Sequence, residues 1–447
     1  MPFLKKIINK HTLSLATSAA MPLIGMLSLS LMAHNLSKVG FGNYIFFLIT
    51  FLLADTFRTG FMQTSLIKYY AGANKGKAMN MAGSAWYVGF ILTAIIILVD
   101  LLLYLFYKNP SPDVEATIKW FGIIYLCTLP SAIASWILQA EERFDKLLLL
   151  QVVNQGGFLV MLVLLIFFKR ISFDTVIYSY FAINFVISLI TIFMGWAKIH
   201  TIKYKSRQGM SDLIHFGKYS VGTSIGASLL RSSDTFIIKL MFRPEMVAIY
   251  YMPQRLLEIF EIPIRAGVST ALPELSAAVY RKNDEEVVAI MKRYAGMLTV
   301  MLLPVAIVSF IMGGFIFDLL FGHKYEGTES VSIFRFFICY VMLMPIDRFF
   351  GITLDMIGKP RLNMIKVVIM LTVNVVGDFV GILIFHSLYA VAVASLFTFF
   401  SGVLFGYWAL KKHLNFTIRD IFSLGYSQLK DVIAHLLKKN KTDKVEV

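Results

Sequence analysis

Residues 246–275, MVAIYYMPQRLLEIFEIPIRAGVSTALPEL, decide how the chain is read. The stretch is long and apolar enough to cross a bilayer as one helix, yet it carries Arg255, Glu258, Glu261 and Arg265. At 100° per residue, Gln254, Glu258, Glu261 and Arg265 fall within a sector of roughly 60°, with Tyr251 beside them and Arg255 on its flank. Leu256, Leu257, Phe260 and Ile264 gather on the opposite side. One charge at the bilayer centre costs about 2.5–3.5 kcal/mol, so four facing lipid would cost on the order of 10 kcal/mol. The stripe is therefore expected to face other charges, or a wet cavity inside a helix bundle. Pro253 and Pro263 are expected to bend the span.

The rest of the chain supplies the bundle. Of 447 residues, 57% are hydrophobic and 15% charged, too apolar for a soluble core. The apolar residues fall in about a dozen blocks of roughly 20. The expected spans are 12–33, 43–65, 81–107, 117–140, 147–168, 173–196, 217–241, 246–272, 291–317, 331–357, 362–385 and 387–410. Lys5, Lys6 and Lys10 before the first block resemble the start of a signal peptide. The block is of spanning length with no small-residue cleavage site after it, so an uncleaved first helix is expected. Cys127 and Cys339 sit inside apolar blocks and are read as neither disulfide partners nor metal ligands.

The net charge of +15 does not point to nucleic acid, because its placement follows the membrane. Lys and Arg concentrate, about two dozen of them, at the termini and in the loops after every second span; the opposite loops hold about six. Both termini are thus expected on the cytoplasmic side. No loop exceeds about 25 residues, which leaves no room for a catalytic domain outside the membrane. Residues 417–440 place Ile421, Leu429, Val432, Ile433 and Leu436 mostly on one side among lysines, the pattern of an amphipathic helix at the interface.

The two halves repeat. Gly40-Phe-Gly-Asn-Tyr44 aligns with Met246-Val-Ala-Ile-Tyr250, Asp55 falls opposite Glu261, and Arg58-Thr-Gly60 meets Arg265-Ala-Gly267 after a one-residue slip. Phe121, Tyr125 and Pro130 match Phe336, Tyr340 and Pro345 at constant offset. Six spans per half make the repeats parallel, with a substrate path between them. The expected organisation is a six-helix lobe at 1–200, a second at 201–413 and a basic amphipathic tail at 414–447.

Other spans also carry charge: Asp55 and Arg58; Arg231, Asp234 and Lys239; Arg335, Asp347 and Arg348; Asn374 and Asp378. Pairs three residues apart have a structural reading, as neutral locks between helices. The four charges of the span 246–272 exceed what packing needs and point to function. A cationic cavity suits an anionic passenger, and arginine grips phosphate bidentately. Arg58, Arg231, Arg255, Arg265 and Arg348, with Tyr251 and Gln254, are the candidate contacts for a pyrophosphate. Asp55, Asp234, Glu258, Glu261 and Asp378 are candidates to balance those charges or bind a coupling ion. No metal-ligand spacing, Gly-rich phosphate loop or nucleophile constellation is found, and no cofactor is expected beyond a possible coupling H+ or Na+.

The sequence resembles the MOP exporter superfamily, and within it the Wzx-like polysaccharide (O-antigen) flippases. The marks are Leu36 with Gly40-Phe-Gly-x-Tyr44, Gln139-Ala-Glu-Glu-Arg-Phe144, Phe216-Gly-Lys218 leading to Asp234, Tyr250, Pro273, and Phe321-Gly-x-x-Tyr325. The resemblance implies an all-α polytopic membrane protein of two six-helix lobes in a bacterial inner membrane. It also implies that a lipid-linked oligosaccharide on undecaprenyl pyrophosphate is moved from the cytoplasmic to the periplasmic leaflet, with H+ or Na+ coupling in some members. A polysaccharide polymerase and other assembly proteins would be its partners, alongside membrane lipid and without nucleic acid. Twelve spans differ from the fourteen of the lipid II flippase branch, and residues 12–33 lack the acid many drug-exporting MATE relatives carry there. A MATE-like multidrug or cation antiporter is the alternative; a membrane glycosyltransferase, polymerase or ligase is disfavoured by the short loops.

Overall fold

The computed structural model describes residues 10–106, 112–427 and 430. Among the described residues all regular structure is helical: α1 (Lys10–Asn35), α2 (Lys38–Tyr70), α3 (Lys75–Phe106), α4 (Pro112–Cys127), α5 (Leu129–Ala140), α6 (Phe144–Phe167), α7 (Phe173–Phe193) and α8 (Arg207–Met241). The chain continues as α9 (Pro244–Tyr280), α10 (Asp284–Ile311), α11 (Gly313–Phe321), α12 (Ser330–Val341), α13 (Met344–Met356), α14 (Pro360–Phe385) and α15 (Leu388–Lys411), with short 3-10 turns at Ile199–Tyr204 and His323–Tyr325.

Seven of these helices are long and apolar enough to cross a membrane, and nine spans result if the pairs α4–α5 and α12–α13, bent by 42° and 46°, each count once. Helices α1, α8 and α9 are also long, at 26, 35 and 37 residues, and α8 and α9 are the more polar of them. Each expected span overlaps one of these helices or bent pairs, the ninth, 291–317, running past the end of α10 at Ile311 into α11, which is consistent with twelve. The protein is an all-α polytopic membrane protein, and its outward side chains suit lipid: on α3, Leu98 is 55% and Leu105 64% exposed. Several helices start where a side chain replaces the missing backbone acceptor: the hydroxyls of Ser37, Ser172 and Ser206 accept from Gly40, Thr175 and Gly209 N–H.

The chain divides into two compact units, Met1–Ala248 with Leu320–Lys324, and Ile249–Leu319 with Tyr325–Val447. The division falls after Ala248 rather than near residue 200, because α8 packs along α2. The contact is made at small residues: a Cβ on Gly60 would lie 2.5 Å from Ser224, and one on Gly217 would lie 2.6 Å from the Phe61 ring. The core of the first unit joins Met62, Leu66, Trp86, Leu129, Ile133 and Ile137, with the Trp86 indole donating to the Ala197 carbonyl at 2.8 Å. The five residues Leu320–Lys324 hook onto the end of α1, where Gly322 at φ +82° lies against the His34 ring. That turn explains the glycine of Phe321-Gly-x-x-Tyr325.

The second unit buries Leu275, Met291, Phe349, Phe350 and Ile421 together. Residues 414–427, expected to form a separate tail, are partly built into this core. A helix starts at 420, and its backbone crosses α10 so closely that a Cβ on Gly296 would meet the Ile421 carbonyl oxygen at 1.9 Å. A buried Lys292 reaches Asp420 at 3.2 Å across the same crossing. Thr417 and Lys292 together hold the Asp420 carboxyl below its ordinary value. The remainder of the expected 417–440 helix lies outside the described residues, apart from residue 430.

Candidate functional site

Helix α9 runs unbroken through Pro253, Pro263 and Pro273. Proline lacks the N–H that would pair with the carbonyl four residues back. For Pro253 that carbonyl belongs to Ile249, and the Ser330 hydroxyl donates to it at 3.0 Å inside the second unit. The apolar side of the expected stripe is buried: Leu256, Leu257, Phe260 and Ile264 are each no more than 6% exposed. Its polar side is not. Gln254, Arg255, Glu258 and Glu261 are half-buried and Arg265 is exposed, while Tyr251 is buried at the edge.

The four charges form two pairs on the helix's own surface. Arg255 donates to Glu258, and Arg265 to Glu261 at 2.5 Å. Both pairs keep access to their surroundings: the side chains of Arg255 and Glu258 are 25% and 35% exposed, those of Arg265 and Glu261 55% and 32%. An accessible carboxylate is exchangeable for another anion, so these arginines can hand their donors to a phosphate.

The repeat-related pair in the first unit is arranged differently. Arg58 is wholly buried, and both its terminal nitrogens are engaged: one bonds Asp55 at 2.5 Å and Thr128 at 2.8 Å, the other the Tyr125 carbonyl at 3.0 Å. The guanidinium also lies 4.2 Å from the centre of the Tyr125 ring. Tyr125 and Thr128 sit at the bend between α4 and α5, where the helical ladder breaks around Pro130 and carbonyls need new donors. Expected as a pyrophosphate contact, Arg58 instead has no accessible surface and holds the bend together. Asp55 is 31% exposed and also accepts from Thr59.

The other candidates are distributed over both units. Arg231 is exposed and Asp234 buried on α8 in the first; Arg348 is exposed on α13 and Asp378 buried on α14 in the second. Two polar groupings escaped the sequence reading. Lys366, 3% exposed, donates to the Asp347 carboxylate at 2.7 Å and to its carbonyl at 2.9 Å, tying α14 to α13. The second lies at the end of α5: Glu141 accepts from the Tyr70 hydroxyl at 2.7 Å and from Lys198, whose ammonium also lies 2.5 Å from the Tyr70 oxygen. Burial opposes the Glu141 carboxylate, but Lys198, Tyr70 and Lys146 outweigh it and hold the group below its ordinary value. Burial likewise opposes the Lys198 ammonium, and its bonds to Glu141 and Tyr70 raise it above the usual lysine value. Among the described residues no group of three or more His, Cys, Asp or Glu side chains is placed to hold a metal ion.

Residues 8–279 match the family model described as polysaccharide biosynthesis protein. No curated protein sequence matches the chain. Solved structures do. A multidrug resistance MATE family transporter of the MOP superfamily, inward-facing, aligns with TM-score 0.72 and 15% identity over 89% of this chain and 99% of that one. The lipid II flippase MurJ, in an inward closed conformation, gives TM-score 0.72 and 15% identity over 94% and 92%. A MOP superfamily transporter from Pyrococcus furiosus, whose reverse-polarity binding pocket suggests a different function, gives 0.61 and 15% over 89% and 94%. At these identities the likeness establishes the fold.

Proposed function

The chain belongs to the polysaccharide biosynthesis protein family, and we propose that it is a flippase for a lipid-linked oligosaccharide, carried on undecaprenyl pyrophosphate across a bacterial inner membrane. The observation that carries this reading is the family match over most of the first 279 residues, joined to a helix whose ionised stripe stays accessible. A MOP-type fold provides two helical units that can alternate access to a site, and Arg255 and Arg265 supply the donors a diphosphate needs. Arg231, Arg348, Tyr251 and Gln254 complete the proposed contacts. Glu258 and Glu261 balance the arginines when no diphosphate is present. Asp55, Asp234 and Asp378 are the proposed acids for H+ or Na+ coupling. In this reading both termini are cytoplasmic, and a polysaccharide polymerase takes over the translocated unit.

The test is export of cell-surface polysaccharide in a strain whose own flippase gene is deleted. The wild-type chain should restore export, and the double variant Arg255→Ala/Arg265→Ala should not, although it reaches the membrane in equal amount. Restoration by the double variant would remove α9 from the substrate path.

The second reading, a MATE-like drug antiporter, draws on the equal TM-score of the MATE relative. It predicts lowered drug sensitivity on overexpression; unchanged sensitivity to cationic dyes counts against it.

A further inference from the structure

The Tyr70–Glu141–Lys198 grouping borders a cavity of about 510 Å³ in the first unit, within the range of small-ligand sites. Its walls are kept open by small residues, Gly72, Ala73, Ala78, Ala140 and Gly195. The charges around it are unequal. Lys75, Lys198 and His200 line it, Lys146 is close enough to lower the Glu141 carboxyl, and Glu141 is the one lining carboxylate. A tyrosine hydroxyl and an ammonium converging on one oxygen, here Oε1 of Glu141, form a donor set that suits any oxyanion. Two backbone positions hold the arrangement in an uncommon conformation: Lys198 at φ +47° and Glu142, next to the carboxylate, at φ +55°. A non-glycine residue there is strained and persists only where its surroundings enforce it.

We propose that this cavity binds a phosphate- or diphosphate-bearing headgroup, with the Glu141 carboxylate occupying the oxyanion position until a ligand displaces it. Tyr70 and Lys198 then donate to the phosphate, Lys75 adds charge at the rim, and His200 offers a ring nitrogen there. No proton or bond is transferred; one anion replaces another. Assigning the site to the transported lipid, as its first docking point, rests on the flippase reading above; the anion site itself does not.

The test titrates the purified full-length chain with inorganic pyrophosphate by calorimetry. Wild type should bind, Lys198→Met should bind at least tenfold more weakly, and Glu141→Gln, which removes the competing carboxylate, should bind several-fold more tightly. A purely structural grouping predicts the opposite for Glu141→Gln, since both substitutions would then loosen the same end of the unit. Thermal melts of each variant check that it is folded. Absence of binding by wild type, equal binding by Lys198→Met, or weaker binding by a folded Glu141→Gln would overturn the site. Nanodiscs then separate the sources of phosphate. Lys198-dependent binding of undecaprenyl diphosphate in phosphatidylcholine, but not of phosphatidylglycerol alone, supports docking of the transported lipid. Equal Lys198-dependent binding of phosphatidylglycerol overturns that docking role and leaves a general anionic-lipid site. Full polysaccharide export by a Lys198→Met chain that no longer binds pyrophosphate also overturns the docking role, while the flippase reading stands.

Discussion

Asp55–Arg58 on α2 and Glu261–Arg265 on α9 align in the sequence repeat, and the structure arranges them in opposite ways. In the first unit the arginine is sealed, its side chain 1% exposed and committed to a carboxylate, a hydroxyl, a carbonyl and an aromatic ring. In the second, the arginine side chain is 55% exposed and touches one carboxylate on its own helix. The difference is made by the neighbours. The first pair lies beside a bent span whose broken ladder needs donors. The second lies on a continuous helix, where the Ile249 carbonyl that Pro253 leaves without its N–H accepts from Ser330 instead. Similar residues at aligned positions therefore do not imply a shared role: one pair holds the fold, and the other is free to exchange partners.

The largest expected effect sharpens this contrast. Arg58→Met should remove one donor each from Asp55, Thr128 and the Tyr125 carbonyl together. Breaking a buried pair costs roughly 3–5 kcal/mol, so folded protein should fall steeply in size-exclusion profiles from detergent. Next, Gly425→Leu should disturb the tail crossing on α10, because even a Cβ there would lie 2.1 Å from the backbone of Gly296. Overpacking of this kind costs about 1–3 kcal/mol, read as a lower melting temperature. By contrast, Arg265→Ala should cost at most about 0.5–1 kcal/mol, the worth of an exposed helical pair, while polysaccharide export fails. A loss of folded protein as great as that of Arg58→Met would erase the distinction between the pairs.

The smallest effect is a pH dependence. Because the Glu141 carboxyl is held below its ordinary value, its stabilising contribution is present above the unfolded value and lost as pH falls through the folded one. Because Lys198 is held above its ordinary value, its contribution is present below the unfolded value and lost as pH rises through the folded one. Melting curves of wild type should be flat around neutrality and drop at both ends. Glu141→Gln should flatten the acid side, and an acid limb as steep as wild type would show that Glu141 does not contribute.

Much of the fold was legible in the chain itself. Blocks of apolar residues give the spans because lipid forces the backbone into helices, and the period of α9 separates its buried leucines from its charges. What was not legible depends on long-range partners. Glu141 meets Tyr70 and Lys198 across 71 and 57 residues. Nothing near Lys366 in the sequence signals that it reaches Asp347. The burial of Arg58 follows from the bend between α4 and α5, where its spacing from Asp55 is no different from that of an open pair. The docking of residues 414–427 rests on two glycines, Gly296 and Gly425, whose backbones touch and whose sequence surroundings do not mark them.

The most direct measurement is translocation of an oligosaccharide-bearing undecaprenyl diphosphate by the purified chain in proteoliposomes, comparing wild type with folded Arg255→Ala/Arg265→Ala. Transport by wild type and its loss in the double variant is the expected result. Equal rates for the two proteins would contradict a role for the accessible charges of α9 in carrying the diphosphate.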